Sequence, residues 1–183
     1  MNILHTCFLE LGTSRQVEAR QPLLRAGEVA QRLYLIEQGS ARLYVIDAEG
    51  RETSTQFFFE GDVVSSLESL LSGRPSTLHI ATMEPCHLRV VEASDVISRA
   101  QNDADLQAEL QALTLHRLVH YINLYTSSIA DSPTQRYLRL RETHPTHLER
   151  IPLQILAAYL GVSAVHLSRI RRKLKDGSSL NVL

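Results

Sequence analysis

Short apolar runs, alternating or continuous, recur from about Arg15 to Val91: Leu33 to Ile36, Leu43 to Ile46, Phe57 to Phe59, Leu78 to Ala81 and Leu88 to Val91. Turn-forming residues separate them at Ala26-Gly27, Gln38-Gly39, Asp47 to Gly50 and Glu60 to Asp62. Many short strands closed by glycine turns predict a small barrel or roll. Within this region Ser65 to Leu71 lacks alternation, which predicts one or two helical turns ended by Pro75.

From Ser94 the period changes, and residues 100–130 contain neither Gly nor Pro. Leu115, Leu118, Ile122, Tyr125 and Ile129 recur at alternating spacings of three and four, the pattern of a coiled-coil seam. A second stripe (Leu106, Leu110, Leu113, Tyr121, Leu124) lies on a neighbouring face. A long helix with two apolar stripes has two bodies to bury against. We expect one stripe on the β-domain and the other on a second copy of the chain. Asp131 to Gln135 then opens a new helix, with Ser132 as cap, Pro133 in the first helical position and Gln135 completing a capping box. His144-Pro145 should end that helix near Thr143.

The segment Ile151 to Leu174 carries the strongest functional signal. Pro152 starts a helix expected to run to about Tyr159, Gly161 sits where the chain must turn sharply, and Ser163 caps a second helix. Val162 and Leu167 are spaced as a hydrophobic staple. Leu156, Leu160, Val162, Leu167 and Ile170 fall where two crossed helices pack, with Ala157 small at the close approach. This is helix-turn-helix patterning, in which the second helix enters the DNA major groove. Ser163, Ala164, Val165, His166, Ser168, Arg169 and Arg172 are then left facing outward. Arg169 suits a bidentate contact to guanine, and Ser163, His166 and Ser168 suit hydrogen bonds to bases or phosphates. Ala164 or Val165 fits a thymine methyl, while Arg171, Arg172, Lys173 and Lys175 suit phosphate.

Charge supports that reading through its distribution. The net charge is −1, but residues 133–175 hold nine Lys/Arg against two acids, a balance of +7. The remainder carries ten basic and eighteen acidic residues, a balance of −8. A basic third on an acidic body points to a polyanion at one end. An apolar fraction of 44% supports real cores, and the absence of a long apolar run or a basic leader implies a cytoplasmic chain with no membrane partner. Cys7 and Cys86 are far apart and lack metal-site spacing, so two buried thiols are expected and no metal site.

The order of parts resembles the Crp/Fnr family of regulators, named for the cyclic-AMP receptor protein and the fumarate–nitrate regulator, over nearly the whole chain. Leu33 to Gly39, Glu60-Gly61-Asp62, the long helix, Tyr159 to Ser163 and Leu167 to Leu174 carry the match, and the last stretch is similar to the short-tailed branch common in Bacteroidetes-like regulators. The resemblance implies an α+β chain: a cyclic-nucleotide-binding-like double-stranded β-helix, or β-roll, over 1–98, a dimerisation helix over 99–131, and a helix-turn-helix domain over 132–183. Nine residues follow Leu174, too few for a full wing. The implied partners are double-stranded DNA, a second copy, RNA polymerase and a small-molecule effector. The effector would sit near Gly61, Ser65, Ser66, Arg74, Ser76 and Thr77. Family members that bind cyclic AMP carry Gly-Glu and Arg-Ser pairs where this chain has Ser65-Ser66 and Ser76-Thr77. Without the phosphate-binding arginine, classical cyclic-AMP binding is not expected. Two cysteines cannot hold an iron–sulfur cluster, which needs about four thiolates. Ala164 and Val165 replace an Arg-Glu pair of the receptor protein, so a different operator is expected.

Two other readings compete. One is a ligand-binding module of the cyclic-nucleotide type that acts through protein partners, with a degenerate helix-turn-helix. The other is a cupin-like enzyme. His79 and His87 lack the metal-ligand spacing that chemistry needs, and no Ser/His/Asp or Cys/His set is present, so no enzyme activity is expected.

Overall fold

The computed structural model describes residues 3–175, without the Lys175 side chain. The expectations for Lys175 on phosphate and for a missing wing beyond it therefore lie outside the described residues. Contacts divide the chain into two compact units, Met1–Val45 with Thr55–Ile122, and Ile46–Ser54 with Asn123–Leu183.

Eight strands, all but the β4–β5 end at Ile46–Ser54 within the first unit, form its body: β1 (Thr13–Val17), β2 (Pro22–Leu24), β3 (Arg32–Gln38), β4 (Ala41–Ile46), β5 (Glu52–Phe58), β6 (Val63–Val64), β7 (His79–Thr82) and β8 (Cys86–Glu92). They make two four-stranded sheets, ordered β1-β8-β3-β6 and β2-β7-β4-β5. The sheets face each other across a core of Leu24, Tyr34, Ile36, Leu43, Phe58, Val64, Ile80, Leu88 and Val90. In the central pair Tyr34 lies opposite Val90 and Ile36 opposite Leu88, so these side chains share the inner face.

The continuous apolar run Leu33 to Ile36 has a physical reason. Tyr34 and Ile36 point into the sandwich, while Leu35 belongs to a second core on the outer face with Leu4, Cys7, Phe8, Val91, Val96, Ala100 and Leu106. A strand covered on both faces loses its alternation. The second core is built by α1 (Ile3–Leu11), α3 (Ala93–Ala100) and the first half of α4 (Ala104–Ala130). Helix α1 was not expected from the sequence. The Leu4 N–H in its first turn donates to Glu109 Oε2 of α4 at 2.8 Å. The short helix α2 (Leu67–Ser72) forms where alternation stops, and ends at Gly73 in the left-handed conformation. At the β3–β4 turn, Gly39 has φ 101°, and a Cβ there would lie 2.7 Å from the Pro85 carbonyl oxygen and 2.9 Å from Cys86 Cα.

The long helix differs from the expected one at its start. The stretch expected as a single helix from about residue 99 contains a break at Gln101–Asp103, between α3 and α4. Asp103 explains the break, since its Oδ1 accepts the Leu106 N–H at 3.0 Å and opens α4 as a cap. Among the described residues no single helix is long and apolar enough to cross a membrane.

Candidate nucleic-acid interface and sensor pocket

The second unit contains α5 (Pro133–Thr143), a 3-10 turn (Leu148–Arg150), α6 (Leu153–Tyr159) and α7 (Ala164–Lys175). Helix α5 begins with both bonds of the capping box, Ser132 N–H to Gln135 Oε1 at 2.8 Å and Gln135 N–H to Ser132 Oγ at 3.3 Å. Helices α6 and α7 pack on each other and meet at 93°. Gly161, with φ 67°, makes the corner. The His166 N–H donates to Ser163 Oγ at 3.2 Å, so Ser163 caps α7. Leu156, Ala157, Leu160, Leu167 and Ile170 are buried, as their spacing predicts. Arg136 of α5 donates from its guanidinium to the Leu160 carbonyl at 2.7 Å. That carbonyl stands at the end of α6, where helical acceptors lack an internal partner.

On α7, Ser163, Val165, His166, Ser168, Arg169, Arg172 and Lys173 are exposed, and Ala164 is half-exposed. Arg171 is placed differently from its neighbours. It is half-buried over the Tyr137 ring, 5.8 Å from the centroid, and its Nε is buried without a hydrogen-bond partner. The surface that α7 offers is therefore a polar and cationic face behind an apolar one, at a right-angled helix pair. This geometry suits insertion into a groove lined by phosphates.

The seam residues Leu115, Leu118, Ile122, Tyr125 and Ile129 are 53% to 70% exposed, and Val119, which the spacing did not single out, joins them at 54%. The neighbouring stripe behaves oppositely: Leu106 is fully buried, and Leu110 and Leu113 pack against the same core.

Of the residues expected around an effector, Ser66 and Ser76 come together and the others make separate contacts. Ser66 and Ser76 are buried, with hydroxyl oxygens hydrogen-bonded to each other at 2.9 Å. Ser65 donates to the Arg32 carbonyl at 2.8 Å, and Thr77 donates to Glu68 at 3.0 Å. Arg74 is exposed, and Gly61 is exposed in the turn before β6. The cavity beside Ser65, with Leu24, Ala30, Tyr34 and Ile80 among its walls, has a volume of about 140 Å³. That is well below the roughly 300 Å³ at which pockets for drug-sized ligands begin. His79 accepts the Ala26 N–H on Nδ1 at 3.2 Å and stacks on Tyr44, while His87 is exposed. Cys7 and Cys86 are buried thiols outside any disulfide; Cys86 Sγ donates to the Ser40 carbonyl at 3.3 Å, and burial raises the Cys7 pKa.

A cation within the buried stripe escaped the sequence reading. Arg117 lies between Leu113 and Tyr121 at four-residue spacings, and a charge inside an apolar stripe was the signal. Its guanidinium donates to the Val63 carbonyl at 2.7 Å and lies 4.6 Å from the centre of the Phe58 ring. Burial lowers its pKa, while the Asp62 charge acts the other way. Tyr121, one turn further, has its pKa raised by burial.

These parts define a cyclic-nucleotide-binding type of β-sandwich followed by a long helix and a right-angled helix pair. Residues 14–103 match the cyclic nucleotide-binding domain family. Over 168 residues the chain is 24% identical to the cAMP-activated global transcriptional regulator CRP of Pasteurella multocida (strain Pm70), covering 86% of this chain and 80% of that protein. The fold is similar to that of FixK2 from Bradyrhizobium japonicum, with a TM-score of 0.74 at 19% identity over 91% of this chain and 85% of that one. It is also similar to the c-di-GMP responsive global regulator CLP of Xanthomonas campestris, with a TM-score of 0.73 at 20% identity over 98% and 94%. Residues 14–103 thus form a cyclic nucleotide-binding type of domain, and the chain is similar over most of its length to transcription regulators of the Crp/Fnr type.

Proposed function

We propose that this chain is a sequence-specific transcription regulator that pairs α4 to α4 as a homodimer and reads a palindromic operator with two copies of α7. The observation that carries the reading is the exposed face of α7, polar and cationic, on a helix whose opposite face is locked in the core. Arg169 reads guanine through two hydrogen bonds, and Ala164 and Val165 meet thymine methyls. Ser163, His166 and Ser168 bond to base edges or phosphates, and Arg172 and Lys173 hold the backbone. The exposed apolar row from Leu115 to Ile129 supports the dimer, which sets the half-sites about one DNA turn apart. RNA polymerase is the further partner that this reading implies.

The β-roll responds to an effector other than cyclic AMP. Ser66 and Ser76 bond to each other where the resemblance puts ribose and phosphate, and Arg74 is exposed to solvent. The test is selection of binding sites from random duplexes with the wild-type chain and with Arg169→Ala. A palindromic consensus that loses a guanine preference in the variant is the expected result. A consensus without dyad symmetry, or one unchanged by Arg169→Ala, overturns the assignment.

A further inference from the structure

A second cavity, of about 170 Å³, lies on the outer face of the sandwich between the sheet and α2, α3 and α4. Leu33, Val63, Leu67, Leu70, Val96 and Leu113 wall it, and the polar groups at its edge are Ser65, Thr114, Arg117 and Tyr121. Its size sets the scale of an occupant, because an engineered apolar cavity of about 150 Å³ stays dry and takes benzene. A nucleotide is too large for it.

Arg117 sets the charge of that occupant. Among the described residues the groups it touches are uncharged, namely the Val63 carbonyl and the Phe58 ring. Asp62 is the acid that attracts it, and one oxygen of that carboxylate already accepts the Phe59 N–H at 2.8 Å. A guanidinium carries five donors and favours a carboxylate that takes two of them side by side. A half-buried cation whose neighbouring acid is already shared with a backbone N–H is costly to keep, and an anion bound beside it recovers that cost. A single cation balances a single charge, which favours a monoanion over a phosphate dianion.

We propose that this cavity binds a small monocarboxylate whose apolar body is the size of one aromatic ring or a short branched chain, with its carboxylate on Arg117 and the Tyr121 hydroxyl beside it. The ligand would load α4 directly, since both polar groups stand on that helix. The site is independent of the DNA reading, and only its role as effector site rests on the function proposed above.

The experiment is calorimetric titration of the full chain with benzoate and with benzamide, its uncharged counterpart of the same shape. Benzoate is expected to bind at least about tenfold more tightly, the margin of one charge-assisted pair. Arg117→Met should abolish that margin and leave benzamide binding unchanged. Equal binding of the two probes, or binding of neither, overturns the proposal on the wild-type chain alone, whether or not the variant folds. Adding the selected operator separates the two readings. Arg117-dependent benzoate binding with unchanged DNA affinity upholds the site and removes its regulatory role. Failure of benzoate with a normal palindromic consensus removes the site and leaves the DNA reading intact.

Discussion

Gly39 and Gly161 both have positive φ, 101° and 67°, but differ in the space around them. At Gly161 the nearest atom to an added Cβ is the Arg136 guanidinium nitrogen at 3.5 Å, an ordinary contact with the far end of a side chain. At Gly39 the added carbon meets Cys86 Sγ at 2.6 Å, the Pro85 carbonyl oxygen at 2.7 Å and Cys86 Cα at 2.9 Å, two of which are backbone. Left-handed backbone costs an L-residue about 1–2 kcal/mol, and lost freedom in the unfolded chain returns roughly 0.4–1 kcal/mol. Gly161→Ala should therefore cost about 1 kcal/mol. Gly39→Ala adds overpacking, itself worth about 1–3 kcal/mol, so its cost should reach about 2–4 kcal/mol. The two positions belong to different units, so hydrogen exchange read locally, on β3 and β8 for Gly39 and on α6 and α7 for Gly161, is the suitable assay. If Gly39→Ala costs no more than Gly161→Ala, the close approach of the β3–β4 turn to Cys86 is not what constrains it.

Ile122→Glu puts a charge on an exposed position of α4, so the fold should survive while the chain sediments as a monomer; a stable dimer would remove the seam from this helix. Arg172→Ala should weaken DNA binding alike on all sequences and lower the log–log salt slope by about 1; an unchanged slope would place Arg172 away from phosphate. Burial raises the pKa of Cys7, Tyr34 and Tyr121 above their ordinary 9.0, 10.0 and 10.0, so the fold favours the protonated forms. Their contribution to stability is complete below those ordinary values and is lost as pH rises through the higher folded ones; a urea midpoint that stays flat above 10.0 would contradict it.

The right-angled pair α6–α7 and the helix before it were legible because their signals are local. Ser132 and Gln135 bond to each other three residues apart, Gly161 turns its own backbone, and Ser163 caps the helix that begins beside it. The strands were legible where alternation or a both-faces run exposed them, as in β3 and β8. Helix α1 was not, because a partner of its first turn is Glu109, distant in sequence. The α3–α4 break turned on whether Asp103 caps a helix or sits inside one, a choice made by its surroundings. The pairing of Ser66 with Ser76 was not legible for a similar reason: they lie ten residues apart, and tertiary packing decides that each bonds to the other. Arg171 shares the charge of Arg172 and Lys173, yet its phase on α7 turns it toward Tyr137 on α5.

The uncovered row on α4 bears on gene dosage. For a regulator that pairs through it, a solitary chain has no complete reading head, and while copies are scarce the paired form rises with the square of their number. Halving synthesis would then cut the operator-competent species to about a quarter, before any effector arrives. Expression level alone becomes a control input, and a change of one residue along Leu115, Leu118, Ile122, Tyr125 or Ile129 would retune its threshold while leaving the operator sequence untouched.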